Sequence, residues 1–313
     1  MCVAHNYQAG GVRGYGSTRS GQTLDELGAL GVQWISLTPF GFMSALDSPE
    51  VRHVGDMPAG ETDERIRAEI RAARARGLHV LLKPHIWVAR GAWRARIALS
   101  SPDEWQRWFD SYEQWMIGYA RLAEEEGVEI LVVGTELRSS VERSADRWRQ
   151  LLQRTREVYS GKLAYAANWD SASEVPFWDA LDFVGVQFYA PLADEAGATE
   201  RAMRQRLGRE LDRLEAIAHG AERPVLLTEV GYKSVEHTEV RPFEWSERSD
   251  APVNDEHQAR AYRVLLDGIA SRDWIAGVYW WKWFTDPDAN EEGPRGFSPR
   301  RKPAEQIVRA AYR

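Results

Sequence analysis

A chain of 313 residues with 43% hydrophobic side chains can bury one large core, and it holds no run of about 18 apolar residues that would cross a membrane. A formal net charge of −7 argues weakly against a polyanion such as nucleic acid as the main partner, since phosphate binding wants a basic face. One cysteine, Cys2, excludes an internal disulfide. The opening residues MCVAHNYQAG lack a basic segment followed by an apolar one, so no signal peptide is expected. Location stays open: secreted or lipid-anchored at Cys2 if the chain is a mature form, cytoplasmic otherwise. Fourteen tryptophans stand out. Indole faces fill large cores, and they also stack on the C–H faces of sugars.

In chain order, a first strand is expected near Gly11–Gly16, followed by a short helix at Thr23–Leu30. Apolar runs then recur at Val32–Phe40, Leu78–Trp87, Val128–Leu137, Lys162–Trp169, Leu181–Tyr189, Pro224–Tyr232 and Ile275–Phe284. They are nearly continuous rather than alternating, the pattern of parallel strands buried on both faces. Helical patterns lie between them. Glu61–Arg76 has Thr62 as its capping residue and ends at Gly77. Pro102–Glu126, Ala145–Tyr159, Thr199–His219, Asn254–Ser271 and Pro303–Tyr312 follow the same scheme. The stripe Trp105, Trp108 and Trp115 has helical spacing and reads as core packing.

About eight β/α units in alternation predict an α/β fold, a (β/α)8 barrel forming one domain over residues 1–313. A doubly wound open sheet is the alternative, disfavoured because no glycine-rich phosphate loop opens any helix. Two long loops, Lys233–Val253 and Thr285–Lys302, follow strands seven and eight and carry Phe243, Trp245 and Phe297. In a barrel, the loops after strands build the working face.

The strand ends hold residues that a buried strand does not need. Strand three ends in Lys83, His85 and Trp87, strand four in Thr135 and Glu136, and strand five in Asn168, Trp169 and Asp170. Strand six ends in Gln187 and Tyr189, strand seven in Thr228, Glu229 and Tyr232, and strand eight in Trp280, Trp281 and Lys282. One glutamate at a strand end is usually a surface or capping residue. Two of them, at strands four and seven, fit hydrolysis of a glycosidic bond, which needs an acid for the leaving oxygen and a carboxylate beside the anomeric carbon. A carboxyl separation of about 5–5.5 Å would make the second carboxylate a nucleophile and the outcome retention. Glu136 must start protonated, and the negative Glu229 nearby raises its pKa. Tyr189 is placed to donate to Glu229 and keep it ionised. Asp182 precedes its strand and falls at the other end of the barrel. His5, His53, His79, His219, His237 and His257 show no metal-ligand spacing, and neither H-E-x-x-H nor C-x-x-C occurs. No metal and no cofactor are therefore expected.

The pieces WISLTPFGF (34–42), LKPH (82–85), VGTEL (133–137), Asn168-Trp169, DFVGVQFY (182–189), LTEVGY (227–232), YWWKW (279–283) and GFSPRRKP (296–303) stand in order along nearly the whole chain. Together they resemble the clan A glycoside hydrolases, and within them glycoside hydrolase family 113, whose characterised members are β-mannanases. The resemblance implies Glu136 as acid/base and Glu229 as nucleophile. It implies that Lys83, His85, Asn168, Tyr189 and Trp281 line the subsite of the attacked sugar, with Trp281 as its floor. Trp87, Trp169, Tyr232 and Lys282 complete the expected substrate-binding set. The sequence departs from the clan at Thr135, where an asparagine usually precedes the acid/base and bonds the sugar 2-hydroxyl.

The expected activity is an endo-β-1,4-mannanase acting, as a monomer, on mannan or glucomannan. An exo-acting β-glycosidase on short oligosaccharides and a non-catalytic carbohydrate-binding barrel are the alternatives.

Overall fold

Eight parallel strands close into a barrel. They are β1 (Cys2–Ala4), β2 (Trp34–Leu37), β3 (His79–Leu82), β4 (Ile130–Thr135), β5 (Lys162–Asn168), β6 (Phe183–Gln187), β7 (Val225–Val230) and β8 (Ile275–Trp280). β8 breaks at Trp281 and Lys282 and resumes at Trp283–Phe284. Its first part pairs with β7 and its resumed part with β1, which joins the two ends of the sheet. That closure excludes the open doubly wound sheet. The computed structural model describes residues 1–6, 13–53, 61–246, 249–289 and 291–312.

Helices α1 (Thr18–Leu30), α2 (Asp63–Arg74), α3 (Pro102–Glu125), α4 (Arg138–Arg143), α5 (Ala145–Val158), α6 (Glu200–Ala221), α7 (Asp255–Ile269) and α8 (Pro303–Ala311) surround the strands. The caps follow from the sequence. Thr62 accepts from the Arg65 amide, and Ser101 and Glu104 form a reciprocal capping box at the start of α3. Inside the barrel, Cys2, Leu81, Ile130, Val132, Ala164, Ala166, Leu226 and Tyr279 form one apolar cluster. Between barrel and helices lies a larger one that contains Trp105, Trp108 and Trp115, as their spacing predicts. Burying a ring the size of the Trp108 indole is worth at most about 4–6 kcal/mol. Gly134 lets β4 press against α5, since a Cβ there would stand 2.6 Å from the Trp148 ring and 2.7 Å from that of Tyr165. Any side chain at 134 would push away the strand that carries the next two residues, Thr135 and Glu136.

Three expectations need correction. The first strand is Cys2–Ala4, not Gly11–Gly16; residues 11 and 12 lie outside the described residues, and 13–16 form turns. Three residues in the wall of a barrel are too few to show a periodicity, whereas glycines near a predicted strand are easily over-read. Cys2 is fully buried on β1, with its sulfur 3.7 Å from the Thr228 carbonyl. The runs 32–40 and 78–87 are each two strands. Phe40–Met43 and His85–Val88 leave the barrel and pair parallel with each other over the rim, joined by Arg52–His53. Finally, no α-helix separates β5 from β6; two 3-10 turns, Ala172–Glu174 and Trp178–Ala180, make that link.

Candidate active site

β7 carries Glu229 as its penultimate residue, and both carboxylate oxygens are held. Oε1 accepts from Lys83 Nζ at 2.5 Å, and Oε2 accepts from the Tyr189 hydroxyl at 3.0 Å. Lys83, the residue after β3, is fully buried and also donates to the Thr228 carbonyl (2.9 Å) and to Gln187 Oε1 (3.2 Å). The Thr228 hydroxyl donates to that same Gln187 oxygen at 3.2 Å. The ammonium thus has three acceptors from β6 and β7, which fixes it against Glu229. Burial, reinforced by the charge of Glu229, pushes the Tyr189 phenol well above its ordinary pKa. It stays protonated and remains a donor.

Glu136 follows β4 with φ +53, the left-handed region that a non-glycine residue enters at a cost. Its amide donates to the Ala166 carbonyl at 2.9 Å. Its Oε2 accepts from Arg94 Nη2 at 3.0 Å and from Trp93 Nε1 at 3.3 Å. Burial raises the carboxyl above the ordinary glutamate value; the Arg94 guanidinium opposes this, and Glu229 adds to it. The direction is the one expected from the pair of glutamates. Its main cause is desolvation rather than the neighbouring charge.

Arg94 and Trp93 lie outside the residues that the sequence pattern singles out. They lie in GAWRAR (91–96), after the rim strand His85–Val88. The available signal was an arginine- and tryptophan-containing stretch on the loop side of strand three, where barrel enzymes place functional groups. Arg94 also donates through Nε to the Thr135 carbonyl (3.1 Å) and through Nη1 to the Ile86 carbonyl (3.1 Å). Its Nη2 stands 3.4 Å from His85 Nδ1. Burial, together with Arg94, Lys83 and Lys282, drives His85 well below the usual histidine value, so the ring is neutral. A guanidinium can only donate, which makes Nδ1 the acceptor and puts the ring proton on Nε2. Nε2 lies 3.4 Å from Glu229 Oε1 but makes no hydrogen bond among the described residues.

Trp281 packs on the inner barrel cluster and stacks against His85, with ring centroids 6.3 Å apart and planes 9° from parallel. Lys282 Nζ sits 4.8 Å from the Trp281 ring centre and pairs with Glu292 at 2.8 Å. Trp87, on the rim strand, is 39% exposed and meets Phe40 and Trp245 edge to face, each with centroids 6.1 Å apart. Asn168 ends β5 and lines a small cavity together with Glu136. Trp169 is half-buried against the outer core. Thr135 is buried and its hydroxyl has no partner among the described residues.

Two residues are not where they were expected. Tyr232 is fully buried and packs its ring against Tyr262 of α7, so it belongs to the core and not to the mouth. Two residues past the end of β7, its side chain has turned to the helix side. Phe297 is not on the open rim; it is buried beside Tyr189, 6.2 Å between ring centres.

A closed barrel with an acidic pair at the mouth, one carboxylate gripped by a cation and the other largely desolvated, defines the class as a barrel glycosidase. The family model of glycoside hydrolase family 113 matches residues 5–297, and the chain belongs to that family. A family 113 β-mannanase from Alicyclobacillus acidocaldarius, solved with ManMIm, is 26% identical, with a TM-score of 0.86 over 100% of this chain and 96% of that one. A family 113 β-1,4-mannanase complex is 28% identical, with a TM-score of 0.83 over 95% of this chain and 93% of that one. The endo-β-1,4-mannanase of Thermotoga petrophila shares the fold at 14% identity, with a TM-score of 0.67 over 99% of this chain and 76% of that one. A search of curated protein sequences found no match. No helix among the described residues is long and apolar enough to cross a membrane.

Proposed function

We propose that this glycoside hydrolase is a retaining endo-β-1,4-mannanase with Glu229 as nucleophile and Glu136 as acid/base. The observation that carries the reading is the opposed setting of the two carboxylates. Lys83 and Tyr189 hold both oxygens of Glu229, which aims the carboxylate into the mouth. Burial raises Glu136 and favours a proton on it. In the first step, Glu229 forms a bond to the anomeric carbon while Glu136 gives its proton to the leaving oxygen. In the second, Glu136 takes a proton from water, whose oxygen displaces Glu229. His85 Nε2–H and the unpartnered Thr135 hydroxyl are donors for sugar hydroxyls, and Thr135 stands where the clan usually has asparagine. Trp281 is the apolar surface under the attacked sugar. Family membership and the names of the structural neighbours support mannan as the substrate.

One observation favours an exo-acting β-glycosidase instead. Strands three and seven stand on opposite sides of an eight-strand ring, yet Trp87 and Trp245, from the segments after them, touch edge to face. That contact bridges the mouth and would close one end of a cleft. Hydrolysis of defined β-1,4-manno-oligosaccharides and polymeric mannan, with anomers followed by NMR, separates the readings. Mixed oligosaccharides with β-anomer formed first support endo action with retention. Monosaccharide alone from the start supports the exo reading, and α-anomer formed first rejects the double displacement.

A further inference from the structure

We propose that His237, Glu239 and His257 form a binding site for one divalent first-row transition metal ion of the zinc type, outside the catalytic centre. His237 and Glu239 lie on the loop after β7, and His257 is in the first turn of α7. One ligand atom from each lies within 4.8 Å of the other two. His237 Nδ1 is 3.9 Å from Glu239 Oε1, and His257 Nδ1 is 3.8 Å from Glu239 Oε2. A tetrahedral ion with bonds of about 2.0–2.1 Å holds its ligand atoms roughly 3.3–3.4 Å apart. Each pair therefore has to close by no more than about 1.5 Å. Two imidazole nitrogens and one carboxylate suit zinc, cobalt or nickel and are poor in oxygen for calcium or magnesium.

A second observation points the same way. Glu239 is fully buried. Its Oε1 is taken by Arg260 Nη2 at 2.6 Å, but its Oε2 has no hydrogen-bond partner among the described residues. A buried carboxylate oxygen without a donor is costly, and a cation between Oε2 and the two rings removes that cost. Arg260 on the other oxygen fixes the carboxylate's direction, as outer partners of metal ligands do. His237 is partly exposed, which leaves a path from solvent and room for a water as fourth ligand. The ion has to displace one interaction, the bond that His257 Nδ1 accepts from the His237 amide at 2.9 Å.

The site would act on the rim. The Glu239 carbonyl accepts from the Leu192 and Ala193 amides at 2.8 and 3.2 Å, tying the loop after β7 to the segment after β6. A bound ion would stiffen the stretch that presents Phe243 and Trp245, 50% and 51% exposed. The sequence hides this arrangement, because His237-x-Glu239 and His257 are joined by a long loop and match no metal motif.

The test uses the whole protein, stripped with a chelator, dialysed and titrated calorimetrically with zinc chloride. One ion binds per chain, cobalt gives the visible bands of a four-coordinate centre, and zinc raises the thermal midpoint. H237A and E239Q each weaken zinc binding at least tenfold and abolish the rise in midpoint. H237A is the decisive variant, since its half-exposed side chain leaves the core intact; its metal-free melting and glycosidase activity stay at wild-type values. Absence of saturable one-to-one binding, or H237A binding within tenfold of wild type, overturns the proposal and leaves a buried water as the partner of Oε2. Metal binding and melting depend neither on the substrate nor on the catalytic roles proposed above.

Discussion

Replacing Lys83 with methionine keeps the length of the side chain and removes its charge. The Lys83 and Glu229 side chains are 0% and 5% exposed, and Nζ is 2.5 Å from Oε1. Water screens neither, so the variant strands a buried carboxylate, a loss of about 3–5 kcal/mol. The Thr228 carbonyl loses its Lys83 donor too, while Gln187 Oε1 keeps the Thr228 hydroxyl. At about 2.1 cal/mol/K per residue, 313 residues give an unfolding entropy near 0.66 kcal/mol/K, so a loss of ~4 kcal/mol lowers Tm by about 6 °C. K83M combined with E229Q should recover most of this, because an amide needs no counter-charge. The assay is thermal and denaturant unfolding of wild type, both single variants and the double variant, with a coupling of about 2 kcal/mol or more expected. A loss below about 1 kcal/mol for K83M, or a double variant that equals the sum of the singles within ~0.5 kcal/mol, would refute the pairing.

E136A and E229A should each lower kcat/KM by about 10²-fold or more, and azide should restore turnover in E136A; near-wild-type rates in either variant would remove its assigned role. Y189F removes a hydrogen bond to a charged oxygen, worth about 1.5–3 kcal/mol, and should lower kcat roughly 10- to 100-fold with melting little changed; an unaltered kcat would show that the hydroxyl does not serve the nucleophile. The pH profile follows from Glu136. Its carboxyl is raised in the folded enzyme, so the acid form persists above the ordinary glutamate range and activity falls as pH rises through the raised value. R94M removes the guanidinium that holds this carboxyl down, so the basic limb of kcat/KM should move to higher pH; no movement, or movement to lower pH, contradicts the Arg94–Glu136 coupling.

The sequence by itself determined the repeating order of buried strands and amphipathic helices, because both patterns are local and periodic. The run VEILVVGTEL announces a strand with a polar end wherever that strand lies. It also determined which strand ends carry Lys83, His85, Glu136, Tyr189, Glu229 and Trp281, since a polar residue closing an apolar run is visible without coordinates. The tertiary structure alone decided what those ends do to one another. Lys83 reaches Glu229 across 146 positions of sequence, and Arg94 reaches Glu136 across 42, distances at which no spacing rule operates. It decided that Tyr232 turns to α7 although its neighbour Glu229 faces the mouth, because each residue past a strand's end is aimed by the loop and not by the pleat. It also decided that Cys2 fills the barrel and that a three-residue strand closes it, since burial in a ring is a property of all eight strands together. The desolvation that raises Glu136 has the same origin: it depends on what covers the carboxyl, and the covering residues come from other segments of the chain.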